Sequence, residues 1–135
     1  MRIVIDTNLY ISALINDNSR KRLDIVLANK AFDVLVSDTL LQELIEVANR
    51  SKFRKYVSVL QTETFIQLMM ERATFIETVS EVKFSPDPKD DFLLVLCLDG
   101  DADYLLTGNK IDLLDLKSFH KTQIITLSTF LAIYS

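Results

Sequence analysis

The stretch MRIVIDTNLYISALI (residues 1–15) runs from apolar residues straight into a carboxylate, Asp6, and then into a helical pattern. The segment IVID (3–6) is predicted to be a buried strand, and residues 8–15 are predicted to be a helix. Asp6 therefore has two interpretations, because a carboxylate at this point either caps the helix or binds a metal ion. The choice depends on which other residues the fold brings to the end of this strand.

Apolar runs alternate with helical patterns along the chain. An alternation of this kind is typical of a parallel sheet between two layers of helices. No linker or repeat divides the chain, so residues 1–135 are predicted to form a single α/β domain. After the first strand, the patterns predict strands at 32–37, 74–79, 103–107 and 122–127, and helices at 20–29, 38–49, 51–59, 62–73, 91–99 and 128–134.

Composition excludes several kinds of chemistry. The 135 residues include a single cysteine, Cys97, and a single histidine, His120, so one chain has neither an intrachain disulfide nor a zinc site of Cys and His ligands. The two glycines do not form a phosphate-binding loop. Carboxylates are the main catalytic resource that remains.

Hydrophobicity bears on location and assembly. The hydrophobic content of 49% favours a sheet covered on both faces and is compatible with self-association. No apolar run reaches the ~18 residues of a membrane span, and the N-terminus lacks a signal-peptide pattern. We therefore expect a cytosolic protein that does not insert into membranes.

Several acids are predicted to meet at one edge of the sheet. In an open parallel sheet, ligands bind beyond the carboxyl ends of the strands, and the following helices begin at the same edge. On a helix drawn at about 100° per residue, Glu43 falls on the flank of the apolar stripe, whereas Glu46 falls further toward solvent. The candidate acids are Asp6 after the first strand, Glu43 after the second, Asp90 or Asp91 before the fourth, and Asp112 after the fourth.

Carboxylates gathered at one edge need a counter-charge. Two such charges about 4 Å apart repel by about 4 kcal/mol at an effective dielectric of about 20. Oxygen ligands select Mg²⁺ or Mn²⁺, and such an ion can activate water to hydrolyse a phosphodiester. Taken alone, each acid also fits a structural role, as a helix cap or, for Glu43, as an ordinary residue at the edge of an amphipathic helix.

Four motifs resemble, in this order, the PIN domain family, and in particular its bacterial and archaeal toxin-antitoxin proteins. The resemblance implies a three-layer α/β/α fold with a five-stranded parallel sheet and Mg²⁺- or Mn²⁺-dependent ribonuclease activity, as in VapC-like toxins. It also implies a homodimer or higher homo-oligomer and an antitoxin partner. The motifs are VIDTN (4–8), VSDTLLQEL (36–44), DPKDDFLLVLCLDGDADYLLTGN (87–109) and IITLSTFL (124–131).

The resemblance also implies roles for individual residues. Asp6, Glu43 and Asp91 match the three metal-binding acids of the family, and the spacing to Thr107 favours Asp91 over Asp90. Where many members have a fourth acid this chain has Asn109, and the next acid, Asp112, is displaced by one residue. Asp112 or Asn109 is therefore expected to assist the metal-binding acids. The supporting polar residues are expected to be Asn8, Ser37, Thr107 and Asn109.

Contact with RNA requires local positive charge, because the net charge of the chain is −4. The segment RSKFRKY (50–56) interleaves basic and aromatic residues and resembles the family segment that follows the second acid. A second basic cluster occupies residues 20–22. Each cluster also fits a solvated face or a contact with an acidic partner. The predicted nucleic-acid-binding residues are Arg50, Lys52, Arg54 and Lys55.

Three functions compete. The first is a metal-dependent endoribonuclease, the toxin of a toxin-antitoxin pair. The second is a non-catalytic PIN-fold module that binds RNA or a protein, which the amide of Asn109 supports. The third is a phosphorylation receiver, which needs an aspartate after the third strand and a lysine after the fifth. The third predicted strand leads into TVSEV, and Lys121 precedes the fifth, so the receiver is disfavoured.

Overall fold

The computed structural model describes residues 1–134. Their strands are β1 (Arg2–Ile5), β2 (Asp33–Val36), β3 (Thr74–Phe75), β4 (Tyr104–Thr107), β5 (Ser118–Phe119) and β6 (Thr122–Thr126). The six strands form one sheet in the order β3-β2-β1-β4-β6-β5. Every pairing is parallel except that of β5 with β6, which is antiparallel.

Four of the helices that flank the sheet begin at a side-chain cap. The Ser37 hydroxyl accepts a hydrogen bond from the Leu40 amide at 3.2 Å, and Ser58 forms a reciprocal capping box with Gln61. None of the helices within residues 1–134 is both long and apolar enough to cross a membrane. The helices are α1 (Thr7–Ile15), α2 (Asp17–Ala28), α3 (Asp38–Ala48), α4 (Val59–Arg72), α5 (Asp91–Asp99), α6 (Ile111–Leu114) and α7 (Leu127–Tyr134), with 3₁₀ turns at Ser51–Phe53 and Pro88–Asp90.

The central strands are covered on both faces. Successive side chains of a strand point to opposite faces, yet Ile3, Val4 and Ile5 are all fully buried. This burial requires helices on both sides of the sheet, which is why parallel strands read as continuous apolar runs. The predicted three-layer α/β fold is therefore confirmed.

The structure differs from the predicted strands and helices in one additional strand, one shorter strand and one shorter helix. The sheet has a sixth strand, β5, where Lys117 and His120 adopt positive φ angles of 63° and 53° and the chain reverses tightly. The third strand ends at Phe75, because its partner β2 ends at Val36; further along, the amides of Val79 and Ser80 bond to the Asp99 carboxylate. The helix predicted at 51–59 is reduced to a single 3₁₀ turn.

The sheet order creates a crevice beside β1. The chain proceeds from β1 to β2 and β3 on one side and then returns to β4 on the other side. Ile5 pairs in register with Leu106, so the carboxyl ends of β1 and β4 lie next to each other. A reversal of strand order of this kind is where open α/β sheets bind their ligands. Asp6 and Thr107 stand at this point.

Candidate metal and nucleic-acid site

Asp6 is held in place by the end of the neighbouring strand. Its side chain is 1% exposed, and its backbone amide donates to the Leu106 carbonyl at 2.9 Å. One carboxylate oxygen accepts from the Thr107 hydroxyl at 2.8 Å, and the other accepts from the Asn8 amide at 3.3 Å. Burial raises the pKa of Asp6, although the Thr107 hydroxyl and the Lys110 charge act to lower it. Asp6 thus caps α1 and also presents a costly buried carboxylate at the crevice.

A second buried carboxylate, Asp90, lies within electrostatic range of Asp6. Asp90 ends the 3₁₀ turn before α5, is 3% exposed, and accepts a hydrogen bond from the Lys110 ammonium. Burial acts to lower the pKa of Lys110, but the bond to Asp90 and the charges of Asp6, Asp90 and Asp87 outweigh it and raise this pKa. We call Asp6 and Asp90 the carboxylate pair; Lys110 is its counter-charge.

Of the other predicted acids, Asp112 borders a small cavity with Asp90, whereas Glu43 and Asp91 make different contacts. Glu43 is half-buried in the second turn of α3 and, among residues 1–134, makes no hydrogen bond or ion pair. Asp91 accepts the amides of Ser85 and Phe84 at 2.8 and 3.3 Å, so its carboxylate holds a loop. In the described chain, no three acidic, histidine or cysteine side chains are grouped closely enough to hold a metal ion.

Asp90, and not Asp91, shares the charge of Lys110 with Asp6. The two aspartates are adjacent in sequence, and only the packing of the turn decides which side chain enters the crevice. Lys110 was not predicted, although it follows the end of β4 by three positions and so lies at the same edge as Thr107.

The supporting polar residues have distinct roles. Thr107 bonds to the carboxylate of Asp6, whereas Asn8 contributes its backbone amide and keeps an exposed side chain. Ser37 is buried and caps α3. Asn109 is exposed and borders a small outer cavity of about 220 Å³. The outer cavity is lined by Asp87, Asp90, Asn109, Lys110, Ile111 and Asp112.

The basic segment after α3 divides into structural and free cations. Arg54 donates to the Ala48 and Val57 carbonyls, the Asn49 amide oxygen and the Thr62 hydroxyl at 2.9–3.3 Å, which ties the end of α3 to α4. This network occupies the guanidinium that was predicted to bind nucleic acid.

The other three cations of the segment are exposed. Arg50 faces Glu46 at 3.4 Å. Lys52 and Lys55 lie over the rings of Phe53 and Tyr56, with ammonium-to-centroid distances of 5.1 and 5.2 Å. The two lysines are therefore available for phosphate contact.

The carboxylate pair fits one kind of cation. Mg²⁺ is usually held by one or two carboxylates and completes its octahedral shell with water and substrate phosphate. Asp6 and Asp90 supply such a donor set, whereas a calcium cage or a zinc site needs more protein ligands. A cation held by both carboxylates would compete with Lys110 for Asp90.

Comparison with known proteins places this site in a family. Residues 2–111 match the model of the PIN domain, so the chain belongs to the PIN domain family, whose members are generally nucleases. The matched range contains the carboxylate pair and Lys110. The resemblance read from the sequence motifs is thereby confirmed.

A solved structure shares the fold. One chain of the crystal structure of VapBC2 from Rickettsia felis bound to a DNA fragment from their promoter has a TM-score of 0.60 to this chain. The sequences are 16% identical over 93% of this chain and 98% of that chain. At this identity the likeness concerns the fold. No curated protein is significantly similar in sequence.

Proposed function

We propose that this PIN-domain protein is a Mg²⁺- or Mn²⁺-dependent endoribonuclease, the toxin of a cytosolic toxin-antitoxin pair. The observation that carries the proposal is the carboxylate pair, two buried acids held at the crevice between β1 and β4 with a lysine as counter-charge. Burying two acids near each other is unfavourable, and helix capping accounts for Asp6 alone, since the side chain of Asp90 makes no capping hydrogen bond. Family membership supports nuclease chemistry at this point.

The proposed ligands are Asp6 and Asp90. A dication held there would activate water and neutralise charge on a phosphodiester. Thr107 keeps Asp6 in one orientation, and Asp91 fixes the 84–85 loop and with it the turn that carries Asp90. Glu43 and Asp112 are proposed to assist without binding the ion directly. Asp112 borders the outer cavity together with Asp90.

Lys110 has two proposed tasks. In the absence of a dication its ammonium offsets the charge of the carboxylate pair. Its side chain is 33% exposed, so the ammonium can reach a phosphate oxygen of a substrate in the outer cavity. Lys110 thus supplies positive charge on the side of the site where Asn109 replaces an acid.

The partners are proposed from the surface of α4. Large apolar side chains are exposed there, including Leu60 and Leu68 at 71% and 60%. Apolar surface of this kind marks sites of association. We propose a homodimer or higher homo-oligomer that also binds an antitoxin, in keeping with the similar fold in VapBC2. Light scattering on the purified chain tests the first point, and co-purification with the product of a neighbouring reading frame tests the second.

Cleavage of RNA by the wild type and by Asp6→Asn, with and without EDTA, tests the proposal. We expect Mn²⁺-dependent cleavage by the wild type and a loss of at least about 100-fold in Asp6→Asn, because half of the carboxylate pair is removed. Asp24→Asn changes an exposed aspartate on α2 by the same charge and should cleave like the wild type. Wild-type protein that is free of antitoxin and leaves varied RNAs intact with Mn²⁺ contradicts the proposal.

A second function, a non-catalytic RNA- or protein-binding module, is favoured by one contact. The Lys110 ammonium already neutralises the charge of Asp90, so the carboxylate pair can remain buried without a metal ion. The two functions differ in their response to Mn²⁺. A nuclease should be stabilised by Mn²⁺ through Asp6, whereas a binding module should show equal Mn²⁺ responses in the wild type and in Asp6→Asn.

A further inference from the structure

A second cavity borders the loop that follows β4. This polar cleft has a volume of about 410 Å³, which is within the range of about 300–1,000 Å³ that small-ligand sites span. Asn109 borders both the polar cleft and the outer cavity, so the two adjoin. The lining consists mainly of hydroxyl and amide side chains with one cation: Ser12, Ser19, Arg22, Thr107, Asn109, Thr126 and Ser128, with Leu9 and Leu127.

Arg22 is the charged group of the polar cleft. Its guanidinium donates to the Ser128 hydroxyl at 2.5 Å, which connects α2 to α7 and holds the guanidinium at the cleft. Within residues 1–134 Arg22 has no carboxylate partner, whereas Arg20 is paired with Asp17 and Arg50 with Glu46. A guanidinium has five donors, so four remain for a ligand. On a chain of net charge −4, an arginine without an acidic partner in a cleft is suited to an anion.

The polar cleft is connected to Asp6 through Thr107. Thr107 lines the cleft and donates its hydroxyl proton to Asp6 at 2.8 Å. A ligand in the cleft therefore lies next to the threonine that holds Asp6, whereas Lys110 borders only the outer cavity. The hydroxyls of serine and threonine can bond to a sugar hydroxyl, and the two leucines provide apolar contact for a base or sugar face.

We propose that the polar cleft binds the nucleotide next to the scissile phosphate, with Arg22 on its phosphate and the surrounding hydroxyls on its ribose. The inference rests on the proposed function for the identity of the ligand, a single strand of RNA. The strand then runs from the polar cleft, past Thr107 and the carboxylate pair, into the outer cavity. Arg22 acts by binding and does not take part in the chemical step.

Binding in EDTA isolates this contact from cleavage. The probe is a mixed-sequence octaribonucleotide with a fluorescent end label, and anisotropy is measured from about 50 to 200 mM salt. We expect Arg22→Gln to weaken binding about fivefold and to reduce the salt slope by about 0.7, the value for one phosphate contact on a single strand. Lys21→Gln is the matched control, since it removes the same charge from an exposed neighbour outside the cleft and should change binding less than twofold.

A second variant keeps the test decisive if Arg22→Gln folds poorly. Ser19 is the third residue of α2, where a glutamate favours helix formation, so Ser19→Glu should fold while placing a negative charge in the cleft. We expect it to weaken RNA binding about tenfold. With Mn²⁺, both variants should raise KM and leave kcat near the wild-type value.

The outcomes separate this inference from the proposed function. If Arg22→Gln and Ser19→Glu bind RNA as Lys21→Gln does while the wild type cleaves, the cleft is not a subsite and the nuclease remains. If the wild type binds RNA through Arg22 but never cleaves, the subsite remains and the nuclease is wrong. Wild-type protein that does not bind the octaribonucleotide, or a fall in kcat without a rise in KM, overturns the subsite.

Discussion

Replacing Lys110 with methionine removes the counter-charge of the carboxylate pair while keeping most of the side-chain volume. Removing one partner of a fully buried ion pair costs about 3–5 kcal/mol. Lys110 is one-third exposed, so solvent screens the pair, and we expect a loss of about 1–2 kcal/mol in the free energy of unfolding in EDTA. For a chain of this size that corresponds to a fall in Tm of about 3–10 °C.

Mn²⁺ should reverse the defect. In the wild type a dication has to displace the ammonium from Asp90, whereas in Lys110→Met the carboxylate pair has no cation to displace. We expect the variant to bind Mn²⁺ about tenfold more tightly, a difference of about 1.4 kcal/mol. The stabilisation at saturating Mn²⁺ should therefore be larger in the variant than in the wild type.

Thermal denaturation over a series of Mn²⁺ concentrations measures both effects. Lys89→Met is the control, because Lys89 is an exposed lysine next to Asp90, and among the described residues its ammonium forms no ion pair. It should change the free energy of unfolding by no more than about 0.5 kcal/mol. Equal Tm values for the two variants in EDTA, together with equal Mn²⁺ affinities, would refute the role of Lys110 as counter-charge.

The remaining predictions concern other contacts. Asp6→Asn should raise Tm in EDTA at pH 7, because burial raises the pKa of Asp6 above its ordinary value of 3.8. The gain in the free energy of unfolding is about 1.4 kcal/mol for each pH unit by which this pKa is raised. It should vanish as the pH falls below 3.8, where Asp6 is protonated in both the folded and the unfolded chain. Arg54→Met should lower the free energy of unfolding by about 2 kcal/mol in urea denaturation, since it leaves two backbone carbonyls without their donor. Lys55→Met should leave the free energy of unfolding unchanged, and it should weaken RNA binding about two- to threefold when binding is measured by anisotropy. Gly100→Ala should lower the free energy of unfolding by about 1–3 kcal/mol, because its Cβ would lie 2.9 Å from a backbone oxygen of α5. Gly108→Ala should leave this free energy unchanged, because the nearest atom to its Cβ would be 3.8 Å away.

The main strands could be predicted because their burial requires continuous runs of apolar residues in the sequence. Strands covered on both faces are apolar at successive buried positions, and residues 3–5 of β1, 34–36 of β2 and 105–106 of β4 satisfy this. The two-residue strand β5 has no such apolar run. It depends on a reversal in which Lys117 and His120 have positive φ angles, which are uncommon for residues other than glycine.

The end of the third strand shows a different limit. Residues 76–79 continue a strand-like pattern, but β3 stops at Phe75. The amides of Val79 and Ser80 instead bond to the carboxylate of Asp99, about twenty residues further along the chain. The Ile76 amide makes the last bond to β2, which itself ends at Val36, so the length of β3 is set by its partner strand and not by local propensity.

The sequence alone determined the α/β class and the place of Asp6, because an apolar run that ends in a carboxylate defines both a buried strand and the edge at which ligands bind. The structure alone decided that Asp90 rather than Asp91 shares the charge of Lys110 with Asp6. Neighbouring residues at the start of a helix point in directions about 100° apart, so a shift of one position separates an acid in the crevice from one that holds a loop. The energy of a buried charge depends on what lies within a few ångströms of it, and those distances exist only after the chain has folded.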